Sequence, residues 1–505
     1  MTVSVHDFGA LIDSRASAAP DAPFLCAPET LTVLPYGALA AKVAALAALF
    51  DRLDAPEGAH VAFMLPNGLA AAVVFVGTMA AGRVVVPMNL LAQDAHLDHA
   101  LAHAEPRVVF VSDQHAARVH EALARVGTRP AVVVVDPDRL ELPDARPTAL
   151  ADRDPARAAM LMYTSGTTSL PKGVLLSHAN LLHAGRTVAT HHGLDARDRV
   201  QSSLPLYHIN GLCIATTGTL CSGGSIVMPH RFSVSQWWPL CERWRPTWLN
   251  LVPTIVAYLL NAPDPTPAQR EAMRDVRFAR SASAPLPPDQ QRAFESRFGI
   301  PIVEAMGLTE SASIAFCNPM EPARRRIGSP GLPFGVEARV VDRARRALPD
   351  GERGEIEIRG PSVTIGYHRA PELTSAALRD GWLATGDLGY RDADGFYFIT
   401  GRLKELIIKG GENIAPREID EALLRHPSVL EAAAVGVPDR AYGQEILACI
   451  VVKADRTLTR EEVDAHCLRE LGRYKAPRYV RFVDALPKGP SGKVQRMKLA
   501  EGFAP

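Results

Sequence analysis

The stretch YTSGTTSLPKG occupies residues 163–173 and crowds hydroxyl side chains around small residues and one lysine. Small residues let backbone N–H groups approach phosphate oxygens closely, while hydroxyls and a lysine add donors and a positive charge. The common nucleotide-binding loop G-x-x-x-x-G-K-[ST] is excluded, because Pro171 precedes the lysine and Gly173 follows it. The stretch predicts a phosphate-binding loop with the candidate ligands Thr164, Ser165, Gly166, Thr167, Thr168 and Lys172.

The sequence around this loop alternates between short β-branched runs and Ala- and Leu-rich stretches from about residue 30 to residue 230. Examples of the runs are VVVPM at 84–88 and AVVVV at 131–135. Such alternation predicts strand–helix–strand units and a largely parallel sheet. The same alternation of β-branched and helical stretches returns before residue 300, which predicts a second α/β layer. Short runs separated by turn residues at 331–400 predict antiparallel hairpins.

These patterns divide the chain into two parts with a boundary near Arg402. We predict a large α/β N-terminal domain over residues 1–401, built from two stacked α/β layers and a small β subdomain. We predict a small, mobile α+β C-terminal domain over residues 402–505, where a strand, a glycine pair and a helix follow one another.

The composition restricts the partners of the protein. The 505 residues include 55 Lys plus Arg and 55 Asp plus Glu, so no net charge attracts nucleic acid. The seven cysteines contain no C-x-x-C pair, and the N-terminus lacks the pattern of a secretory signal, which together predict a cytoplasmic protein. The longest apolar stretch, at 68–82, is shorter than the roughly 20 residues that span a bilayer, so no membrane insertion is expected.

Six short motifs occur in a fixed order along most of the chain. The motifs are YTSGTTSLPKG (163–173), PLYHING (205–211), EAMGLTE (304–310), TGD (385–387), GRLKELIIKGGENIAPREI (401–419) and PSGKVQR (490–496). Together they resemble the acyl-adenylate-forming, or AMP-binding, superfamily, and within it the acyl-CoA synthetases.

The resemblance implies a ligase that uses ATP, Mg²⁺ and coenzyme A. A small or medium carboxylic acid would attack the α-phosphate of ATP, giving acyl-AMP and pyrophosphate, and the acyl group would then pass to the thiol of coenzyme A with release of AMP. A carboxylate is a poor electrophile, and the charge that develops at phosphorus requires preorganised donors, a lysine and a metal ion.

The resemblance also implies catalytic roles. The loop at 164–172 would hold the outer phosphates, Thr309 the α-phosphate and Glu310 the Mg²⁺ ion. Lys493 would bridge the carboxylate and the α-phosphate during adenylation. His208 would line the acyl channel, and the pocket polar residues Asn210, Asn250 and Ser313 hint at a small or polar acyl group.

The nucleoside site follows from the same resemblance. Asp387 would accept the ribose hydroxyls with Arg402 nearby. The chain departs from the family pattern at Met306, where an aromatic residue is usual, so a thioether contact would replace base stacking. The adenine pocket would be walled by Ser283, Ala284, Pro285, Glu304, Ala305, Met306 and Gly307.

The thiol step involves the predicted small domain. In the family that domain rotates about a residue that corresponds to Lys404. Gly410 and Gly411 would let a pantetheine arm pass close to the backbone, although an ordinary turn between strand and helix explains them equally well.

Two alternatives remain open at this point. The acceptor thiol could be the phosphopantetheine of a carrier protein, or the chain could be a nucleotide-binding protein that has lost catalysis. Retention of Glu310, Asp387 and Lys493 argues against the second alternative. The sequence leaves the identity of the acid and the oligomeric state open.

Overall fold

The computed structural model describes residues 5–142, 153–164, 170–489 and 494–503. A π-helix covers Asn210–Thr217, and short 3-10 turns include Thr309–Ser311 and Leu403–Glu405. The α-helices are α1 (Phe8–Ala18), α2 (Tyr36–Arg52), α3 (Leu69–Ala80), α4 (Asp94–Ala104), α5 (Asp113–Val126), α6 (His178–His191), α7 (Gly218–Ser222), α8 (Val234–Trp244), α9 (Pro253–Leu260), α10 (Pro267–Met273), α11 (Pro288–Phe298), α12 (Pro371–Ala377), α13 (Pro416–Leu424) and α14 (Arg460–Lys475).

The β-strands of the same part of the chain form four sheets. They are β1 (Pro23–Ala27), β2 (Thr32–Pro35), β3 (His60–Met64), β4 (Val84–Pro87), β5 (Val108–Val111), β6 (Ala131–Val134), β7 (Ala158–Thr164), β8 (Lys172–Ser177), β9 (Arg199–Gln201), β10 (Ser225–Val227), β11 (Trp248–Leu251), β12 (Phe278–Ser281), β13 (Ile302–Met306), β14 (Phe316–Cys317), β15 (Leu332–Pro333), β16 (Glu337–Val341), β17 (Gly354–Arg359), β18 (Gly366–Tyr367), β19 (Leu378–Arg379), β20 (Trp382–Arg391), β21 (Tyr397–Arg402), β22 (Ile407–Lys409), β23 (Glu412–Ile414), β24 (Val429–Asp439), β25 (Gly443–Val452) and β26 (Tyr479–Phe482).

Two large sheets with mostly parallel inner strands make up the body of the molecule. One has the order β18-β8-β7-β4-β3-β5-β6, and the other has the order β15-β14-β13-β12-β11-β9-β10-β1-β2. The β-branched runs at 84–88 and 131–135 contain β4 and β6, as predicted. The predicted fold class, two stacked α/β layers, is therefore confirmed.

Both faces are buried at the inner strands β4 and β5, which explains why these strands are continuously apolar rather than alternating. On β3, Val61 and Phe63 join a core that also takes in Val200 and Phe278 of the other large sheet. The intervening residues of β3 point the other way, toward α4 and α5. Helix α3 is buried along its whole length in the shared core, as predicted for the stretch at 68–82. Among the described residues, no helix is long and apolar enough to cross a membrane.

A buried amide joins the loops that follow β3 and β9, which belong to different sheets. The Asn67 side chain donates from Nδ2 to the Leu204 carbonyl at 3.0 Å, and its Oδ1 accepts from the Leu206 N–H at 2.9 Å. Asn67 is only 3% exposed, so these bonds have little competition from water. They hold the segment that leads to His208 against the start of α3.

The predicted hairpins at 331–400 form an antiparallel sheet in the order β16-β17-β20-β19, with β21 paired to β20. Strand β21 continues to Arg402, and a 3-10 turn, Leu403–Glu405, leads into the last sheet. That sheet has the order β23-β22-β25-β24 with β26 beside β25, and α13 and α14 contribute to its core. The boundary at 401/402 and the mobility of the C-terminal part stay predictions.

A buried ion pair ties the end of the chain to the C-terminal sheet. Arg496 donates to Asp420 on α13 at 2.7 Å and to the Ala434 carbonyl on β24 at 2.7 Å. Both charged side chains are at most 15% exposed. Arg496 also approaches Glu405 at 3.4 Å, in the turn that connects the two parts of the chain.

We expect Arg496→Met to destabilise the C-terminal sheet by about 3–5 kcal/mol, because it leaves the Asp420 carboxylate buried without its cation. Hydrogen exchange of the β24 amides under increasing urea measures the loss. Arg460→Met is the matched control. Arg460 pairs with Asp464 on the surface of α14, so the control should lose at most about 0.5 kcal/mol. Equal losses for the two variants would contradict the assignment.

Candidate active site

A cavity of about 560 Å³ lies where the two large sheets meet the antiparallel sheet. Strands β4, β12 and β13 all point their carboxyl ends at it, which is where open α/β sheets usually bind ligands. The predicted site residues that line it are Thr164, Lys172, His208, Ser283, Gly307, Thr309, Glu310, Arg402 and Lys404. Segments distant in sequence thus share one cleft.

A lysine, a tyrosine and a carboxylate lie close together on the side of the cleft that is predicted to bind phosphate. The Lys172 ammonium lies 5.2 Å from the centre of the Tyr367 ring, and the Tyr367 hydroxyl donates to Glu310 Oε1 at 3.0 Å. Burial raises the pKa of Tyr367 above its ordinary value, so the hydroxyl stays a donor. Tyr367 lies outside the six sequence motifs and was not predicted. Ser165, Gly166, Thr167 and Thr168 lie outside the described residues, and so does Lys493.

The predicted ribose site contains an ion pair. Asp387 on β20 and Arg402 on β21 are directly opposed in the ladder. Arg402 donates from Nε to one carboxylate oxygen at 2.6 Å and from Nη2 to the other at 3.3 Å. The Asp387 side chain is only 4% exposed, while Arg402 and Gly386 line the cavity. Arg402 therefore lines the cleft, whereas its carboxylate partner is buried beside it.

Only some of the residues predicted to wall the adenine pocket line the cavity. Ser283 and Gly307 line the cavity, whereas Glu304 and Ala305 are buried behind it on β13. Met306 packs against the core of the antiparallel sheet. Ala284 is half-buried and Pro285 is exposed, and neither lines the cavity.

Gly307 has a steric reason to be glycine. A Cβ atom at this position would lie 2.2 Å from the carbonyl carbon and oxygen of Ser313, far inside van der Waals contact. Two cavity-lining backbone segments can therefore run side by side only because the side chain is absent.

Glu304 is a buried carboxyl group with one satisfied oxygen. Oε1 accepts from the Leu286 N–H at 3.2 Å, whereas Oε2 has no hydrogen-bond partner among the described residues. Burial raises the pKa of Glu304 to about 7, although Arg417 on α13 acts in the opposite direction. The group is therefore largely protonated in mildly acidic solution.

We expect Glu304→Gln to stabilise the protein above pH 7 and to have little effect near pH 4.5. Between these values the folded wild type keeps a proton that the unfolded chain has released, so its stability falls as the pH rises through this window. As the pH rises, the free energy of unfolding of Glu304→Gln should come to exceed that of wild type by about 2–3 kcal/mol. Urea unfolding at several pH values measures this difference. Glu321→Gln, at an exposed position, is the matched control. A gain for Glu304→Gln that is constant with pH would contradict the assignment.

The His208 end of the cavity is shaped by the π-helix. Gly211 lies at its start, and a Cβ atom there would lie 2.7 Å from the carbonyl oxygens of Leu204 and Pro205. The glycine thus allows the helix to begin tightly against the preceding segment, and His208 and Ile209 line the cavity just before it. Such helices are frequent at functional sites.

Polar side chains extend inward from this end. The Asn210 amide donates to Ser283 Oγ at 3.3 Å, and its Oδ1 accepts from Asn250 at 3.2 Å. Ser313 lines the cavity, as predicted, whereas Asn210 and Asn250 are buried behind its wall. Arg280 completes this group and was missed; its signal in the sequence is a cation within the strand of VRFARSASA, residues 276–284.

The glycine pair forms the tight turn between β22 and β23. Gly410 and Gly411 have φ values of +55° and +86°, which is the backbone that two-residue hairpin turns require. Neither glycine lines the cavity. The turn accounts for both residues, and a role toward the pantetheine arm stays a prediction.

Comparison with known proteins assigns the family. A model described as AMP-binding enzyme matches residues 12–368, and one described as AMP-binding enzyme C-terminal domain matches residues 418–493. The chain belongs to the AMP-binding enzyme family. This confirms the resemblance and the prediction of an acid–thiol ligase that uses ATP, Mg²⁺ and coenzyme A. The carrier-protein alternative is not supported.

Several relatives match this member of the family over nearly their whole length. A sulfoacetate–CoA ligase of Cupriavidus necator is 53% identical over 97% of this chain and 96% of its own. An oxalate–CoA ligase of Arabidopsis thaliana is 34% identical over 88% of each chain. The ATP-bound structure of MatB from Rhodopseudomonas palustris is 31% identical, covers 98% of both chains and has a TM-score of 0.90, whereas the apo structure of MatB gives 0.77.

Proposed function

We propose that this ligase activates a small acid that carries a second anionic group, with sulfoacetate as the first candidate, and transfers the acyl group to coenzyme A. The observation that carries the proposal is the single cleft that brings Lys172 and Glu310 together with the Asp387–Arg402 pair. The choice of acid is supported by the 53% identity to a sulfoacetate–CoA ligase and by the polar inner end of the cavity.

The proposed adenylation uses the cleft from one end to the other. Lys172 would bind the outer phosphates of ATP, Thr309 would donate to the α-phosphate, and Arg402 with Asp387 would hold the ribose. A carboxylate oxygen of the acid then forms a bond to the α-phosphorus, and the bond to the pyrophosphate oxygen breaks. The resulting acyl-AMP has an electrophilic carbonyl carbon, to which the sulfur of coenzyme A adds as AMP leaves.

Glu310 fits the role of the Mg²⁺ ligand. It is a carboxylate that lines the cavity close to Lys172, and Tyr367 fixes its orientation through the hydrogen bond to Oε1. Carboxylate oxygens are preferred ligands of Mg²⁺. The ion, when bound there, neutralises negative charge on the phosphates.

The comparison of acids tests the proposal. We expect sulfoacetate to give a kcat/KM at least about tenfold above that of acetate, because buried donors for a second anion are left unpaired by the simpler acid. Pyrophosphate release measures the first step, and the appearance of AMP and acyl-CoA on addition of coenzyme A measures the second. Benzoate, an acid with no second anion, is the control for size. A clear preference for acetate or benzoate would contradict the proposed acid, and release of AMP without acyl-CoA would contradict the acceptor.

We further propose that residues 402–505 turn about Lys404 between the two steps and that Lys493 enters the cleft only for adenylation. Lys488 and Val494, which flank the segment that contains Lys493, form a β-bridge. A lysine carried by a domain that turns can deliver a point charge for one step and withdraw it for the next. The seven cysteines are free, and six of them are buried thiols, which supports the proposed location in the reducing cytoplasm.

We expect Lys493→Ala to lower acid-dependent ATP–pyrophosphate exchange by at least about 10²-fold while leaving acyl transfer from preformed acyl-AMP largely intact. The reason is that the ammonium group would stabilise charge only while the carboxylate attacks phosphorus. Lys498→Ala, a nearby lysine that does not line the cavity, is the matched control. Equal loss in both half-reactions would refute the assigned role.

A further inference from the structure

Arg280 occupies an unusual place for a charged residue. It is the next-to-last residue of β12, in register with Asn250 on β11 and Val303 on β13, and its exposure is 0%. The carboxyl ends of these parallel strands face the cavity, where Ala282 and Ser283 form part of the wall. The guanidinium therefore lies in the protein interior just behind the cleft.

The Arg280 guanidinium is poorly satisfied. Nη1 donates to Asn210 Oδ1 over a long 3.4 Å, whereas Nε and Nη2 have no hydrogen-bond partner in the described part of the chain. None of the ion pairs found in that part of the chain includes Arg280. Buried or half-buried carboxylates there pair with other cations. A buried cation without a counter-ion is destabilising, and evolution normally pairs it or removes it.

The groups that face Arg280 supply no negative charge. Burial raises the pKa of the Cys317 thiol to about 12 and that of Cys213 further, so both stay neutral. Burial, and secondarily Arg280 itself, lowers the pKa of His191 and of His192, so the imidazoles are neutral as well. The guanidinium thus carries an uncompensated positive charge next to unpaired hydrogen-bond donors.

The same surroundings argue against a metal ion. One potential ligand atom each of His191, His192 and Cys317 lies within 4.8 Å of the others, which by distance alone could suit a cation. The neighbouring guanidinium would repel that cation, and the two histidines already share a hydrogen bond between their Nδ1 atoms at 3.0 Å. The charge of the site favours an anion.

A chain of side chains connects Arg280 to the cavity. Asn210, which accepts from Arg280, donates to Ser283 Oγ at 3.3 Å, and Ser283 lines the cavity together with His208 and Ser313. The bond from Arg280 to Asn210 and the bond from Asn210 to Ser283 are both long, so they are easily exchanged for bonds to a stronger acceptor. Asn210 is also the first residue of the π-helix, where the backbone is locally widened.

We propose that Arg280 binds the second anionic group of the acid, a sulfonate or a carboxylate, and so makes the enzyme specific for small acids that carry one. The planar fork of the guanidinium matches two oxygens of either group, and the anion would take up the donors that are unpaired in the absence of substrate. The inference rests on the proposed function, since it places the distal group of the acid at the inner end of the same cleft.

The test compares two acids that differ only in the second anion, sulfoacetate and acetate, in wild type and in Arg280→Met. Methionine keeps an unbranched stem but has no charge and no N–H donor. We expect kcat/KM for sulfoacetate, measured by pyrophosphate release, to fall by about 30-fold or more, because a buried charge partner is lost. The value for acetate should stay within about twofold of wild type. Arg274→Met, which removes an exposed arginine outside the cavity, is the matched control. It should leave kcat/KM unchanged for both acids.

Thermal unfolding separates binding from a structural role. Without substrate, Arg280→Met should unfold at the wild-type temperature or above it, since an unpaired buried charge has been removed. Sulfoacetate should raise the Tm of wild type but not that of Arg280→Met. A lowered Tm with equal losses for both acids would assign Arg280 a purely structural role and overturn the inference. If Arg280→Met does not fold, Arg280→Lys decides, because an unchanged preference for sulfoacetate over acetate in that variant also overturns it.

The outcomes distinguish this inference from the proposed function. If wild type rejects sulfoacetate but accepts oxalate or malonate in an Arg280-dependent manner, the identity of the acid is wrong and the role of Arg280 stands. If wild type uses sulfoacetate and Arg280→Met retains the full preference, the function stands and the role of Arg280 is refuted.

Discussion

The burial of one apolar core between two large sheets is the constraint on which the cleft depends. Side chains from β3 and from β12 pack into the same core, and close packing allows little relative displacement of the two sheets. The side-chain amide of Asn67 fixes the relative position of the two sheets further, because it makes directional hydrogen bonds to the segment after β9. The carboxyl ends of both sheets are thereby held close enough for β7, β8, β12 and β13 to contribute to one cavity.

Much of this architecture is visible in the sequence because it is local. The β-branched runs at 84–88 and 131–135 predict strands, and the continuous apolar character of β4 reflects burial on both of its faces. The order of the motifs indicates that Lys172, Glu310 and Arg402 share a cleft. Each of these signals needs only a short stretch of chain or the order of such stretches.

The contacts that were missed join residues far apart in the chain. Tyr367 reaches Glu310 through strand β18, which pairs with β8 across almost two hundred residues, and no local pattern encodes that pairing. Arg280 appears in the sequence as one cation in a strand, and only the fold shows that two of its nitrogens have no hydrogen-bond partner among the residues that the structure describes. Gly410 and Gly411 were ambiguous because a tight turn and a close approach require the same residue.

The electrostatics of the cleft are local, since the chain as a whole has no net charge. Lys172 stands above an aromatic ring and Arg402 is held by a carboxylate, whereas Arg280 has neither kind of partner in the described part of the chain. The three cations therefore differ in how much each gains from binding an anion. A paired cation keeps its geometry whether or not substrate is present, whereas an unpaired cation gains most when an anion arrives.

The unpaired guanidinium of Arg280 has a consequence for the life of the protein in the cell. A chain whose interior holds an unmatched charge is weakest when its acid is scarce, and unfolded molecules are the ones that proteases remove. Supply of the acid would then slow degradation of the enzyme that consumes it. If Arg280 binds the acid as proposed, the steady-state amount of this ligase would rise with the supply of the acid even if its synthesis were constant.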